Sequence, residues 1–162
     1  MHAEPGFFGW LAALPFSQAM RSSLWLYPIV EIVHIIGFAT LVGSVLMFDL
    51  RLLGFAPQLP VRSLGGHLLP WSVASLALIV PAGLMMFAAH PQDFIGNPIF
   101  LLKLALIVTA GINATLFHRG VYRSVSAWNS GTAAPPGAKL HALASIVIWV
   151  AVICCGRLLA YT

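Results

Sequence analysis

Glu31 and His34 lie three residues apart inside one apolar stretch, LWLYPIVEIVHIIGFATLVGSVLMF. An ionisable side chain at membrane depth costs about 2.5–3.5 kcal/mol on insertion scales. Three residues is nearly one helical turn, so both side chains share a face, and Tyr27, four before Glu31, joins it. Intramembrane polar groups of this kind mark a cofactor, an ion path or a proton relay. Lys103, in a later apolar stretch, is the second charged residue read at membrane depth.

Six histidines set the next question. Haem iron in a membrane bundle takes axial imidazoles from facing helices, so haem b is the cofactor to test against them. His34 lies about ten residues into its span, near 15 Å deep. His118 lies about twenty residues into the third span, near 30 Å from the same surface. Those two should not share one iron. His118 and His141 match better in depth and form a candidate inner pair, with His67 as a third option. For His34 the nearest candidates are His90 at the rim and Met86 one turn inside it. The plain alternative is that helix-end histidines face headgroups or water, and that His34 hydrogen-bonds a neighbour. His2 is terminal and carries no role.

Haem propionates need cations near a membrane surface. Lys103 and Arg157 fall about one turn inside the outer face, near Glu31, so Glu31, Lys103 and Arg157 are expected to converge near His34. They either hold a propionate or pair with one another as a structural cluster, because an unpaired buried charge is costly. Gly37, Gly43, Gly83 and Gly111 would give a flat ring room between helices, and equally suit close helix packing.

The elements that position these residues follow from composition. The chain has 162 residues, 60% hydrophobic and 7% charged, against roughly 25% charged in a soluble domain. Mean hydropathy is +0.94. Spanning a bilayer takes about 20 apolar residues, and four stretches qualify, at about 24–48, 68–89, 98–117 and 140–161. They make a single four-span domain, an all-α integral-membrane up-down four-helix bundle. The length leaves no room for a soluble catalytic or nucleic-acid-binding domain. The start, MHAEPGFFGW, lacks the basic run and cleavage site of a signal peptide. Gly6–Met20, rich in aromatics, reads as an interfacial helix broken at Pro15. LPVRSLGGHLLP and GTAAPPGAK read as connectors, and Pro81 should kink the second span. Cys154 and Cys155 point about 100° apart on a helix and read as small packing residues.

Five of the eight Lys/Arg (Arg51, Arg62, Arg119, Arg123 and Lys139) fall in the two connectors of one side. The positive-inside rule puts that side in the cytoplasm and both termini outside, in the periplasm of a bacterial inner membrane.

WLYPIVEIVHIIGFATLVGSVLMFDLRLLG resembles the first span of an uncharacterised bacterial family of small four-helix membrane proteins. NPIFLLKLALIVTAGINATLFHRG and AKLHALASIVIWVAVICCGRLLAY look like its third and fourth spans. More distantly, the His34-then-glycine pattern and FLLKLAL resemble copper-resistance protein D. They also resemble the membrane protoporphyrinogen oxidase that binds haem b through a first-span histidine and a third-span lysine. That resemblance implies His34 and Lys103 as the matching positions. DLRLLG stands where the oxidase has an arginine-rich continuation.

The sequence therefore reads as a haem b-binding, cytochrome b-like membrane protein that moves electrons, with a quinone or a redox protein as partner. Its enzyme variant is a quinone- or porphyrin-linked oxidoreductase. Besides the lipid bilayer, a second copy of the chain is a candidate partner. Two alternatives stay open. One is copper handling by His34, His90, Met85, Met86 and Met20, since Cu(I) prefers soft sulfur and imidazole. The other is a cofactor-free structural or transport subunit.

Overall fold

The structure is a computed structural model describing residues 6–161, so His2 lies outside the described residues. It contains helices and connectors, and no strand among those residues. Two short helices, α1 (Phe7–Ala13) and α2 (Pro15–Ser22), precede the long α3 (Leu26–Leu53) and α4 (Val61–Ala89). Then come α5 (Pro91–Ile95), α6 (Pro98–Arg119), a 3₁₀ turn over Val121–Ala127, and α7 (Pro136–Leu158). Helices α3, α4, α6 and α7 are each long and apolar enough to cross a membrane. The protein is a multi-pass, all-α membrane bundle. Large apolar side chains such as Ile29, Ile32, Ile35 and Ile36 on α3 lie exposed on its outside, as lipid contact requires.

Helices α3 and α7 form the middle of the bundle. α3 packs against α4 and α7, and α7 packs against α6. Phe38 and Trp149 meet edge-on across the α3–α7 seam, with centroids 5.9 Å apart. The flanking α4 and α6 meet near the chain termini through the stacked rings of Phe87 and Phe100, 5.8 Å apart. The bundle thus has a termini end, holding α1, α2 and α5, and a loop end, holding the α3–α4 and α6–α7 connectors.

Three boundaries differ from the hydropathy reading, one being that α7 begins at Pro136 rather than near Leu140, which makes the end of GTAAPPGAK helix. The first span continues to Leu53, because the chain stays helical until Gly54 takes a left-handed φ of 113°. Its amide and that of Phe55 close the helix on the Arg51 and Leu50 carbonyls. The second span begins at Val61 rather than near Leu68, so much of LPVRSLGGHLLP is helix, not connector. Gly65 explains why: a Cβ there would lie 3.0 Å from the Phe48 ring and 3.2 Å from the Tyr122 hydroxyl. Close packing of α3, α4 and the 3₁₀ turn outweighs the low helix propensity of a Gly-Gly pair. α4 also runs through Pro70 and Pro81, whose missing N–H groups remove the helical donors of the Gly66 and Ala77 carbonyls.

Arginines fasten both ends. At the loop end Arg51 is buried, and its guanidinium donates to the carbonyls of Leu59 (2.7 Å), Pro57 (2.9 Å) and Asn129 (3.4 Å). It joins both connectors. At the termini end Arg21 donates to Ala89 O and Ala12 O, each at 2.7 Å, satisfying last-turn carbonyls of α4 and α1.

Candidate functional site

His34 points from α3 into the seam with α4. Its Nδ1 lies 3.0 Å from the Ile79 carbonyl oxygen. A carbonyl only accepts, so Nδ1 carries the proton and Nε2 keeps the lone pair. This is the arrangement in which metal-bound histidines are held, with the far nitrogen fixed by a backbone carbonyl. Gly83, one turn past Ile79, makes the room: a Cβ there would lie 3.2 Å from His34 Cε1 and 3.5 Å from Nδ1.

Lys103 reaches the same half of the bundle from α6. A Cβ on Gly156 of α7 would lie 3.5 Å from Lys103 Nζ, so the ammonium points inward at α7. Lys103 and Glu31 are both near enough to His34 to act on it electrostatically. Two helices, α3 and α6, therefore turn His34 and Lys103 toward the bundle interior, His34 against Gly83 and Lys103 against Gly156, while Glu31 is exposed on α3. Tyr27 sits a turn nearer the termini, its ring edge-on to His90 at 6.0 Å.

Arg157 takes a different course. Its guanidinium lies over the Tyr161 ring at 4.9 Å and hydrogen-bonds the Tyr161 hydroxyl, at the exposed end of α7. Among the described residues no ion pair joins Glu31 to Lys103 or Arg157; the ion pair present is His90 with Asp93, at 3.4 Å. The expected convergence of the three charges near His34, whether on a propionate or on one another, therefore does not include Arg157. The reason is local: Tyr161, one turn on, satisfies Arg157 without reaching into the bundle.

His90 stands seven residues past Gly83 on α4, about 10 Å along the axis. It is not at the level of His34. The glycines divide. Gly37 is a packing residue, since a Cβ there would lie 2.9 Å from an Ile79 side-chain carbon and 3.2 Å from Ser75 O. Gly43 and Gly111 face open space.

At the loop end, His118 and His141 both lean on the ring of Phe117, with centroids 5.2 Å and 5.9 Å from it. His118 Nδ1 donates to Ala114 O at 2.8 Å. His141 Nδ1 lies 2.7 Å from Asn113 Oδ1, while Asn113 Nδ2 donates to His141 O at 3.0 Å. The second bond fixes which Asn113 atom is oxygen, so His141 Nδ1 is also the protonated nitrogen. All three histidines read as ligands thus present an Nε2 lone pair. His67 is exposed on the first turns of α4.

Sequence reasoning passed over two polar groups. Asn113 is one, since only the α6–α7 packing pairs it with His141. The other is Asp49, buried near the loop end of α3. It lies just past the end of the first span as read at residue 48, and the extension of α3 to Leu53 puts it inside the helix.

Four apolar spans with an inward histidine, lysine and glycine pair define a class, the small helical membrane bundle with a polar core site. The chain belongs to the DUF6644 family, a family of unknown function, whose pattern matches residues 20–162. No curated protein and no solved structure matches it.

Proposed function

We propose that the protein binds haem b at His34 and moves electrons within the membrane, with a quinone or a redox protein as exchange partner. One observation carries the reading: His34 is fixed through Nδ1 to the Ile79 carbonyl, leaving Nε2 as a lone-pair donor beside an inward-facing lysine. The donor set also suits the group. Haem supplies four nitrogens itself and asks the protein for one or two axial ligands. Among the described residues no three His, Cys, Asp or Glu gather as a bare ion would need. Burial and the two nearby charges, Glu31 and Lys103, would tune the iron's potential. His118 and His141, each in the ligand-ready tautomer beside Phe117, are the residues a second, loop-end haem would use. The basic loop end is assigned to the cytoplasm of a bacterial inner membrane by its excess of Lys/Arg.

One packing feature favours a second reading, Cu(I) handling. Met20, Met85 and Met86 come together in one cluster at the termini end, with Val30, Ala82 and Ala89. Cu(I) takes thioether ligands readily. The visible spectrum and metal content of the purified full-length protein separate the readings. A Soret band supports haem. Copper without such a band supports the second reading. Neither, in protein made with both available, removes both.

A further inference from the structure

Asp49 is a carboxylic acid with almost no access to solvent and no charge to meet it. Its residue is 5% exposed, and its Oδ2 has no hydrogen-bond partner. The polar side chain that faces this carboxyl is that of Ser145, itself buried on α7. The nearest cation in sequence is Arg51, also buried, yet its guanidinium is spent on the carbonyls of Leu59, Pro57 and Asn129. Two residues on a helix diverge by about 200°, so Arg51 points away from Asp49. Of the other titratable groups at this end, Arg62, His118, Arg119 and Arg123 are exposed and Lys139 is half-buried on the first turn of α7, and none of them pairs with Asp49. His141 is held by Asn113, Tyr122 packs with Phe117 and His118, and His67 is exposed. Among the described residues no ion pair involves Asp49.

An ionised carboxylate in that setting would be an uncompensated charge in a low-dielectric site. A protonated one leaves only a neutral polar atom without a partner, which is far less unfavourable. The neutral form is therefore the one this packing holds. Asp49 also lies one helical turn from the end of α3 at Leu53, so a proton has a short way to the loop-end solvent. Four residues correspond to about 6 Å.

We propose that Asp49, beside Ser145, is a proton-binding site of the bundle that exchanges its proton with the loop side of the membrane. The step is simple binding, carboxylate plus proton giving carboxylic acid, and no electron moves. It stands apart from any cofactor at His34. Intramembrane acids in this state serve proton relays and proton-coupled transport.

Infrared spectroscopy of the full-length protein in lipid vesicles tests it. At neutral pH the wild type should show the C=O stretch of a protonated carboxylic acid, shifted in deuterium oxide. Asp49→Asn, nearly isosteric, should lose that band, and Glu31→Gln should keep it. Ser145→Ala should keep the band at a changed frequency, a readout that survives should Asp49→Asn fold poorly. Raising the pH on the loop side should convert the band to carboxylate. A wild type with no such band would overturn the proposal. So would a band retained in Asp49→Asn, or unmoved in Ser145→Ala. Replacing the protonated band by carboxylate on adding sodium alone would make this a cation site and would overturn it too.

Discussion

Gly83→Ala separates a ligand histidine from a packing histidine. The added Cβ would lie 3.2 Å from His34 Cε1 and 3.5 Å from Nδ1, so the imidazole must shift by a few tenths of an ångström. The shift strains the 3.0 Å Nδ1–Ile79 O bond that fixes the ring. Losing a hydrogen bond between membrane helices costs about 0.6–1.7 kcal/mol. Replacing a helical glycine by alanine returns up to about 1 kcal/mol. The two nearly cancel, and stability should stay within about 1 kcal/mol of wild type. Cofactor affinity has no such compensation. Disturbing the group that orients a ligating histidine typically costs 10–100-fold, or about 1.4–2.8 kcal/mol. Haem titration into the cofactor-free protein in detergent, followed by visible absorption, reads the second quantity, and thermal unfolding of the same samples reads the first. Unchanged haem affinity in a variant of unchanged stability would refute the assignment of Nε2 as a ligand.

Arg51→Met should cost about 1.5–3 kcal/mol in unfolding, because it removes the charge-assisted bonds that tie the two connectors together; a loss under about 1 kcal/mol would show the clamp to be incidental. Gly37→Val should destabilise by about 1–3 kcal/mol through overpacking against Ile79 and Ser75 O, measured by thermal unfolding, whereas Gly43→Val, facing open space, should be close to neutral. Asn113→Ala should cost about 0.6–1.7 kcal/mol and loosen α6 from α7, seen as earlier protease cleavage in the 121–135 connector. A single cysteine placed in GTAAPPGAK should resist an impermeant thiol reagent added to intact cells, and labelling there would reverse the assigned orientation.

The spans were legible because hydropathy over about 20 residues is a long, redundant signal. The break at Pro15 was legible for the opposite reason, since one residue type acts locally on the backbone. His34 and Lys103 stood out because charge is rare in such a chain. Where pairing depends on which helix lies opposite, the sequence was mute. Asn113 reads as an isolated amide until α7 brings His141 to it. Arg51 reads as a topology charge, while the fold uses it, as it uses Arg21, to satisfy carbonyls that include ones far away in sequence, Asn129 and Ala89. Gly65 and Gly66 read as a connector, because nothing local shows that Phe48 and Tyr122 need the missing Cβ. Arg157 seemed bound for the interior, since depth counting ignores the tyrosine one turn beyond it. Asp49 was hidden by a helix boundary five residues later than hydropathy placed it.

The claim that His34 is the axial ligand of a haem is tested most directly by the visible spectrum of wild-type and His34→Ala protein purified side by side. The wild type should show a Soret band that sharpens and shifts on reduction. His34→Ala should fold to the same bundle by circular dichroism and lose that band. A wild type without a Soret band when produced with ample haem would contradict the account. So would a folded His34→Ala variant whose band is unchanged in position and intensity.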